Sequence, residues 1–229
     1  VLNVFDNGPF YNRLIVTRDE FPEYRHHIRT LVRYAVHMGL PIDYWETWNE
    51  PENQPFWHGT TEQCLALWDV TYDTIRSVHP EAMIVGLTYT RPDLQLMTAF
   101  LDHCRENGQR LDVLCWHDFN PPGQVRRNIV ALRRLVETDY SMLGVKEYHI
   151  DEWKGSYEYE GPGTHIAFFY YMDLAGLDRA CRTAWTEGEV YSIRVAPSGT
   201  AAMEKAEAEK ALAAAAAALP VKDEKTRHF

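Results

Sequence analysis

Apolar and polar positions along this chain switch between two periods. Short runs of near period-2 patterning, rich in aromatic and β-branched residues, fall at 1–5 (VLNVF), 44–51 (YWETWNEP), 83–89 (MIVGLTY), 111–117 (LDVLCWH), 146–153 (KEYHIDEW) and 180–186 (ACRTAWT). They predict strands. Between them, apolar residues recur every three or four positions and predict helices over 21–38, 61–78, 92–107, 124–136 and 164–177. In the first helix the stripe is Tyr24, Ile28, Leu31, Val32, Ala35 and Val36, and Gly39 supplies the C-terminal stop. Thr60 or Thr61 caps the second, and Glu62 in its first turn complements the helix dipole. Pro51, Pro80 and the Asn120-Pro121-Pro122-Gly123 cluster punctuate the pattern.

Strand and helix alternate with connections too long for hairpins, which is the rhythm of a parallel sheet with crossover helices. No GxGxxG, GxxxxGK[ST] or GxSxG follows any strand, so a nucleotide fold or an α/β-hydrolase has little support. The other closure of such units is the TIM barrel, eight βα units in about 250 residues, with its site at the strand C-termini. Polar residues gather at those ends here: Asn49 and Glu50, His117, Asp151 and Glu152, Trp185. The expected fold is therefore α/β, a partial TIM (β/α)8 barrel of about six βα units over residues 1–188, with the first two units absent from this chain. Residues 189–229 form a C-terminal extension. Its Ala-rich stretch 203–219 (MEKAEAEKALAAAAAAL) predicts a peripheral helix with little side-chain area to bury.

Composition narrows the chemistry. A net charge of −10 argues against nucleic acid, whose phosphates need a basic footprint. No run of about 18 apolar residues exists, so no membrane-spanning helix is expected. Seven Trp in an aromatic share of 13% fit a ligand with flat apolar faces. Cys64, Cys104, Cys115 and Cys181 have neither metal-like nor disulfide-framework spacing, and Cys115 reads as a small buried hydrophobe. No cofactor is called for. Oligomeric state and compartment stay open.

Two strand ends carry the candidate chemistry. In 44–51, alternation puts Tyr44, Glu46, Trp48 and Glu50 on one face, with Pro51 ending the ladder. About 100 residues later the pattern repeats, with Tyr148, Ile150 and Glu152 on one face. An ionised Glu buried without partners is costly, so a carboxylate kept at each strand end points to a site. Units three apart in an eight-stranded barrel lie across its mouth, so Glu50 and Glu152 can face each other. Paired carboxylates between aromatic walls are the machinery of glycoside hydrolysis. A paired-carboxylate metal enzyme has less support, for want of a His/Asp/Glu cluster at ligand spacing.

The segment WETWNEPENQPFW resembles the strand-4 signature of clan A glycoside hydrolases, most of all family 39, the β-xylosidase and α-L-iduronidase group. EYHIDEW is similar to the clan's strand-7 nucleophile motif, VLCWHDF to its strand-6 segment, and IRSVHPEAMIVG to the passage between helix 4 and strand 5. The resemblance implies a retaining glycosidase with a carbohydrate substrate, β-xylosidase-like, and no metal. Glu50 would be the general acid/base, Glu152 the nucleophile, and Asn49 the group that holds the sugar hydroxyl beside the anomeric carbon. Glu50 must then hold a proton while Glu152 is ionised. His117 is a candidate for binding a sugar hydroxyl or orienting a carboxylate, and Trp185 for a stacking platform. Trp57, with Phe56, and Tyr157, with Tyr159, are candidate substrate contacts in loops. Glu46 is expected to meet a buried basic partner, and Trp153 to pack. Where clan members often carry Tyr two positions after the strand-6 His, this chain has Phe119, which cannot hydrogen-bond the nucleophile. Lacking early strands, the chain by itself is expected to be weakly active or inactive. The alternative is a catalytically silent carbohydrate-binding barrel.

Overall fold

The computed structural model describes residues 2–3, 15–54, 56–153 and 162–183. The chain divides between Thr186 and Glu187, and the Ala-rich extension lies outside the described residues. Strand β1 (Leu2–Asn3) is followed by helix α1 (Phe21–His37), β2 (Tyr44–Asn49), α2 (Thr61–Val78), β3 (Met83–Thr88), α3 (Leu94–Glu106), β4 (Val113–Asp118), α4 (Pro122–Asp139), β5 (Glu147–Trp153), α5 (Pro162–Leu174) and β6 (Arg179–Arg182). The strands form one six-stranded sheet in chain order, β1 to β6. Every pair is parallel. The predicted βα alternation is this topology, and α2 spans the predicted 61–78.

Local chemistry sets the helix ends. The Thr60 hydroxyl accepts from the Gln63 N–H while the Gln63 side chain accepts from the Thr60 N–H, a capping box that settles which threonine caps α2. After α1 the backbone turns left-handed at Gly39 (φ 61°), a conformation only glycine adopts without strain.

The sheet separates two apolar layers. Beneath the helices, Ile28, Val32, Leu67, Ile75, Phe100, Leu101, Ile129 and Leu132 pack on Trp45, Ile84, Leu114, Trp116, Tyr148 and Ile150 of the strands. The other face holds a small cluster from strands alone: Tyr44, Val85, Val113 and Cys115, with Met83 against it. Across this second face the sheet curls. Arg179 of β6 donates from Nε to the Tyr44 hydroxyl of β2 at 2.9 Å, although three strands separate them in the sheet order. The Tyr44 hydroxyl in turn donates to Glu147 of β5 at 2.8 Å. That curvature is what a barrel wall requires.

The fit between β3 and α3 leaves no room at Gly86. A Cβ there would stand 2.8 Å from the Phe100 ring and 3.2 Å from Leu111. Phe100 is fully buried and braced by Trp68, whose ring meets it edge-on at 4.9 Å. Gly86→Ala is expected to destabilise the domain by about 1–3 kcal/mol, the usual range for overpacking. A urea midpoint equal to that of the wild type would contradict this.

Candidate active site

The first carboxylate is placed by a break in regular strand geometry. Asn49 ends β2, half-buried, and Glu50 follows in the left-handed region (φ 44°), alone among the described non-glycine residues. For an L-residue that conformation costs about 1–2 kcal/mol, and a following proline makes the region before it tighter still. Neighbouring bonds hold it. The Glu50 N–H donates to the Thr88 carbonyl at 2.7 Å, and the Glu50 carbonyl accepts from the Asn53 N–H at 3.0 Å. The Asn53 side-chain amide donates to Glu50 Oε2 at 2.9 Å and to the Thr90 hydroxyl at 2.6 Å. The Thr90 N–H donates to Glu52 Oε1 at 2.6 Å, tying this turn to the loop after β3. Strain held by surrounding contacts is a mark of functional positions.

The second carboxylate depends on a bulge. Leu114 pairs with Tyr148 and Trp116 with Ile150, but His117 pairs with Glu152, so Asp151 is the extra residue on β5. On its other side β5 slips against β6 over the same stretch. A bulge reverses which residues face which side. Tyr148 and Ile150 therefore belong to the layer under the helices, while Asp151 and Glu152 both come within 4 Å of His117. The expectation that Tyr148, Ile150 and Glu152 share one face is corrected by this insertion. On β2, whose pairing with β3 shows no register shift, Trp48 likewise joins Trp45 in the layer under the helices while Tyr44 belongs to the other cluster, so Tyr44 and Trp48 do not share a face as expected.

His117 stands at the centre, fully buried on β4. Its Nδ1 lies 2.8 Å from Glu50 Oε1 and 3.8 Å from Glu152 Oε2, and its Nε2 lies 3.3 Å from Asp151 Oδ1. Carboxylate oxygens of Glu50 and Glu152 and a ring nitrogen of His117 all fall within 4.8 Å of one another. Glu50 is almost fully buried, whereas the Glu152 side chain is 37% exposed. One carboxylate is thus held inside and the other reaches toward solvent. Burial raises the Asp151 carboxyl above the usual range, against the opposing pull of His117 and a hydrogen bond from the Cys115 thiol. Glu50, His117 and Glu152 are also the one group among the described residues near enough together to hold a cation, a cluster that spacing along the chain does not reveal. The contact of Glu50 with His117 engages two of those atoms.

The remaining expectations divide. Trp57 is not at a ligand surface. It is 2% exposed, meets Trp48 edge-on at 5.1 Å and donates its indole N–H to the Thr60 carbonyl, so the loop after Pro51 folds over it as core. Phe56 is half-buried and accepts the Trp48 indole N–H at its carbonyl. Trp153 packs on Phe168 at 4.7 Å, as expected. Glu46 is buried. Phe119 stands edge-on to His117 at 6.0 Å. Tyr157 and Trp185 lie outside the described residues. Asn53 and Asp151 are the two site residues that pattern reading gave no role, since a turn and a bulge deliver them.

A parallel sheet with helices on one face and two glutamates meeting at the C-terminal ends of its strands defines a domain of partial (β/α)8 type. The chain belongs to glycosyl hydrolases family 39, whose model matches residues 10–147. The matched stretch contains Glu50 and His117 and ends before Glu152. A monomeric β-xylosidase from Caulobacter crescentus CB15 superimposes with a TM-score of 0.62 at 18% identity, over 73% of this chain and 39% of its own. N2152 from Neocallimastix frontalis gives 0.61 at 22%, over 72% and 41%. A glucosidase from Croceicoccus marinus gives 0.62 at 19%, over 71% and 38%. At these identities the likeness is one of fold, and the chain spans about two fifths of each structure. No curated protein sequence matches the chain significantly.

Proposed function

We propose that this domain carries the catalytic carboxylates of a retaining glycoside hydrolase acting on a β-xyloside or a related β-glycoside. The observation that carries the reading is the approach of Glu50 and Glu152 to within 4.8 Å, oxygen to oxygen, beside His117. Retaining enzymes hold their two carboxyl groups about 5–5.5 Å apart, whereas inverting ones need about 6.5–9.5 Å to admit a water. Glu152, the more open of the two, attacks the anomeric carbon and forms the glycosyl-enzyme. Glu50, the more enclosed, gives its proton to the leaving oxygen. In the second half, water attacks the same carbon, Glu50 takes its proton, and the bond to Glu152 breaks. Asn49, beside Glu50, is suited to a sugar hydroxyl near the reacting carbon, a contact that raises the rate if it tightens in the transition state. The preference for a xyloside draws on the β-xylosidase among the similar folds.

The test is hydrolysis of aryl β-xyloside by the full-length protein, with the first-formed sugar followed by proton NMR. The β-anomer is expected first. Initial release of the α-anomer would overturn the retaining mechanism. No turnover of any aryl glycoside would leave the silent carbohydrate-binding barrel as the better reading.

A further inference from the structure

Asp151 has no part in the two-carboxylate scheme, yet the bulge of β5 turns it to the buried side of His117. Its Oδ1 and the ring Nε2 of His117 are both buried, and neither has a hydrogen-bond partner of good geometry among the described residues. They face each other at 3.3 Å. Two orphaned polar atoms this close are relieved together if the ring proton sits on Nε2 and a small rotation of the Asp151 carboxylate brings Oδ1 onto the N–H axis. The other groups facing this ring are Glu50 from the end of β2, Glu152 from β5 and the edge of Phe119. The Cys115 thiol faces Asp151 from β4.

A neutral imidazole has one N–H. With that proton on Nε2, Nδ1 is an acceptor. Glu50 Oε1, 2.8 Å from Nδ1, then makes a hydrogen bond only if the carboxyl carries the proton. Glu152, at 3.8 Å, is too far to compete. A ring protonated at both nitrogens would instead donate to Glu50 and Asp151 together, and the experiment below separates the two states. We propose that Asp151 is a positioning residue: through His117 it selects the Nε2–H tautomer and so keeps on Glu50 the proton that the leaving group needs. The catalytic consequence rests on the glycosidase reading above; the tautomer does not. When Glu50 gives its proton to the leaving oxygen, two acceptors are left facing each other at Nδ1 and Oε1. That repulsion draws the proton of the attacking water onto Glu50 in the second step, while the ring keeps its own proton throughout.

The experiment is two-bond proton–nitrogen NMR of the full-length protein labelled with 15N-histidine, His117 being assigned by comparison with His117→Gln. The wild type is expected to show a neutral ring protonated at Nε2. In Asp151→Leu, which removes the acceptor while keeping a similar shape, the proton should move to Nδ1 and point at Glu50. Hydrolysis of aryl glycosides with poor leaving groups should then fall about 100-fold, the lower end of what general acid catalysis supplies. In kcat/KM, which reads the first step alone, activated aryl glycosides, which leave without a proton, should lose less than about threefold, and Asp151→Glu should recover part of the loss seen with poor leaving groups. A wild-type ring protonated at Nδ1, or at both nitrogens, overturns the proposal even if no variant folds. So does an Asp151→Leu protein with an unchanged tautomer, or one that loses activity equally on all leaving groups. If the tautomer switches as expected but no glycoside is turned over, the glycosidase reading falls and the tautomer assignment stands.

Discussion

Glu152→Ala is expected to lower kcat/KM for aryl β-glycosides by on the order of 10⁵-fold or more, the scale of losing a catalytic nucleophile. Glu50→Ala is expected to lose about 10²–10⁴-fold, the range of general acid–base catalysis. The two losses should differ in kind as well as size. Without Glu152 no glycosyl-enzyme forms, so every leaving group suffers alike. Without Glu50 the first step fails only where the leaving oxygen needs a proton, so a dinitrophenyl glycoside should form the glycosyl-enzyme rapidly and then stall. Rapid-mixing kinetics would show a burst in Glu50→Ala and none in Glu152→Ala. Equal, leaving-group-independent losses in both variants would reject the division of roles. The structure bears on the assignment through exposure: Glu50 is almost fully buried, beside His117 and Asn53, while Glu152 is 37% exposed.

The second large effect lies at the other end of the strands. Asp112 is a buried carboxylate just before β4, and it accepts from the Ile84 N–H at 3.2 Å, Lys146 at 3.0 Å and Arg110 at 3.4 Å, with Arg76 of α2 in close contact. Its carbonyl also accepts from the Lys146 N–H at 2.9 Å. One residue thereby ties α2, β3, β4 and the start of β5. Removing it leaves the Ile84 N–H and the largely buried Arg76 guanidinium without their anion. Asp112→Ala is therefore expected to cost about 3–5 kcal/mol, the range for breaking a buried ion pair. An exposed pair such as Arg105 with Asp102 is worth at most about 1 kcal/mol.

The pH dependence has a definite sign. Burial by itself would raise the Asp112 carboxyl, but the Ile84 N–H, Lys146 and Arg76 outweigh it and hold the group below the usual carboxylate range. A depressed value means the stabilisation is fully present above the unfolded pKa, about 3.9, and is lost as pH falls through the folded value. Urea unfolding should separate the wild type from Asp112→Asn clearly at pH 7 and progressively less below about pH 4. A separation that persists or widens on acidification would show that the carboxylate charge is not the stabilising element.

Much of this protein was legible in local pattern. Apolar spacing identified α1 through Tyr24, Ile28, Val32 and Ala35, all buried in the structure. The capping threonine located α2 within one residue. Glu50 and Glu152 stood out because a carboxylate at the end of an apolar strand is out of place unless it has work to do. Trp57 was misread because a loop aromatic looks the same in sequence whether it faces a ligand or folds back, and here the turn held by Asn53 closes it onto Trp48. The shared face assigned to Tyr148, Ile150 and Glu152 failed because period-2 counting assumes an unbroken ladder, and Asp151 breaks it.

By itself, the sequence determined the order and kind of the elements, the parallel sense of the sheet and the two glutamates, since these follow from periodicity, turn residues and the cost of burying charge. Only the tertiary structure decided that His117 lies between Glu50 and Asp151, that Asn53 holds Glu50, and that Glu152 points to the same side as its neighbour. Those facts depend on residues 67, 37 or 34 positions apart in the chain meeting within hydrogen-bonding range, on one left-handed residue and on one inserted residue. Local pattern constrains which face a side chain takes; which nitrogen meets which oxygen is settled by the packing of the whole sheet.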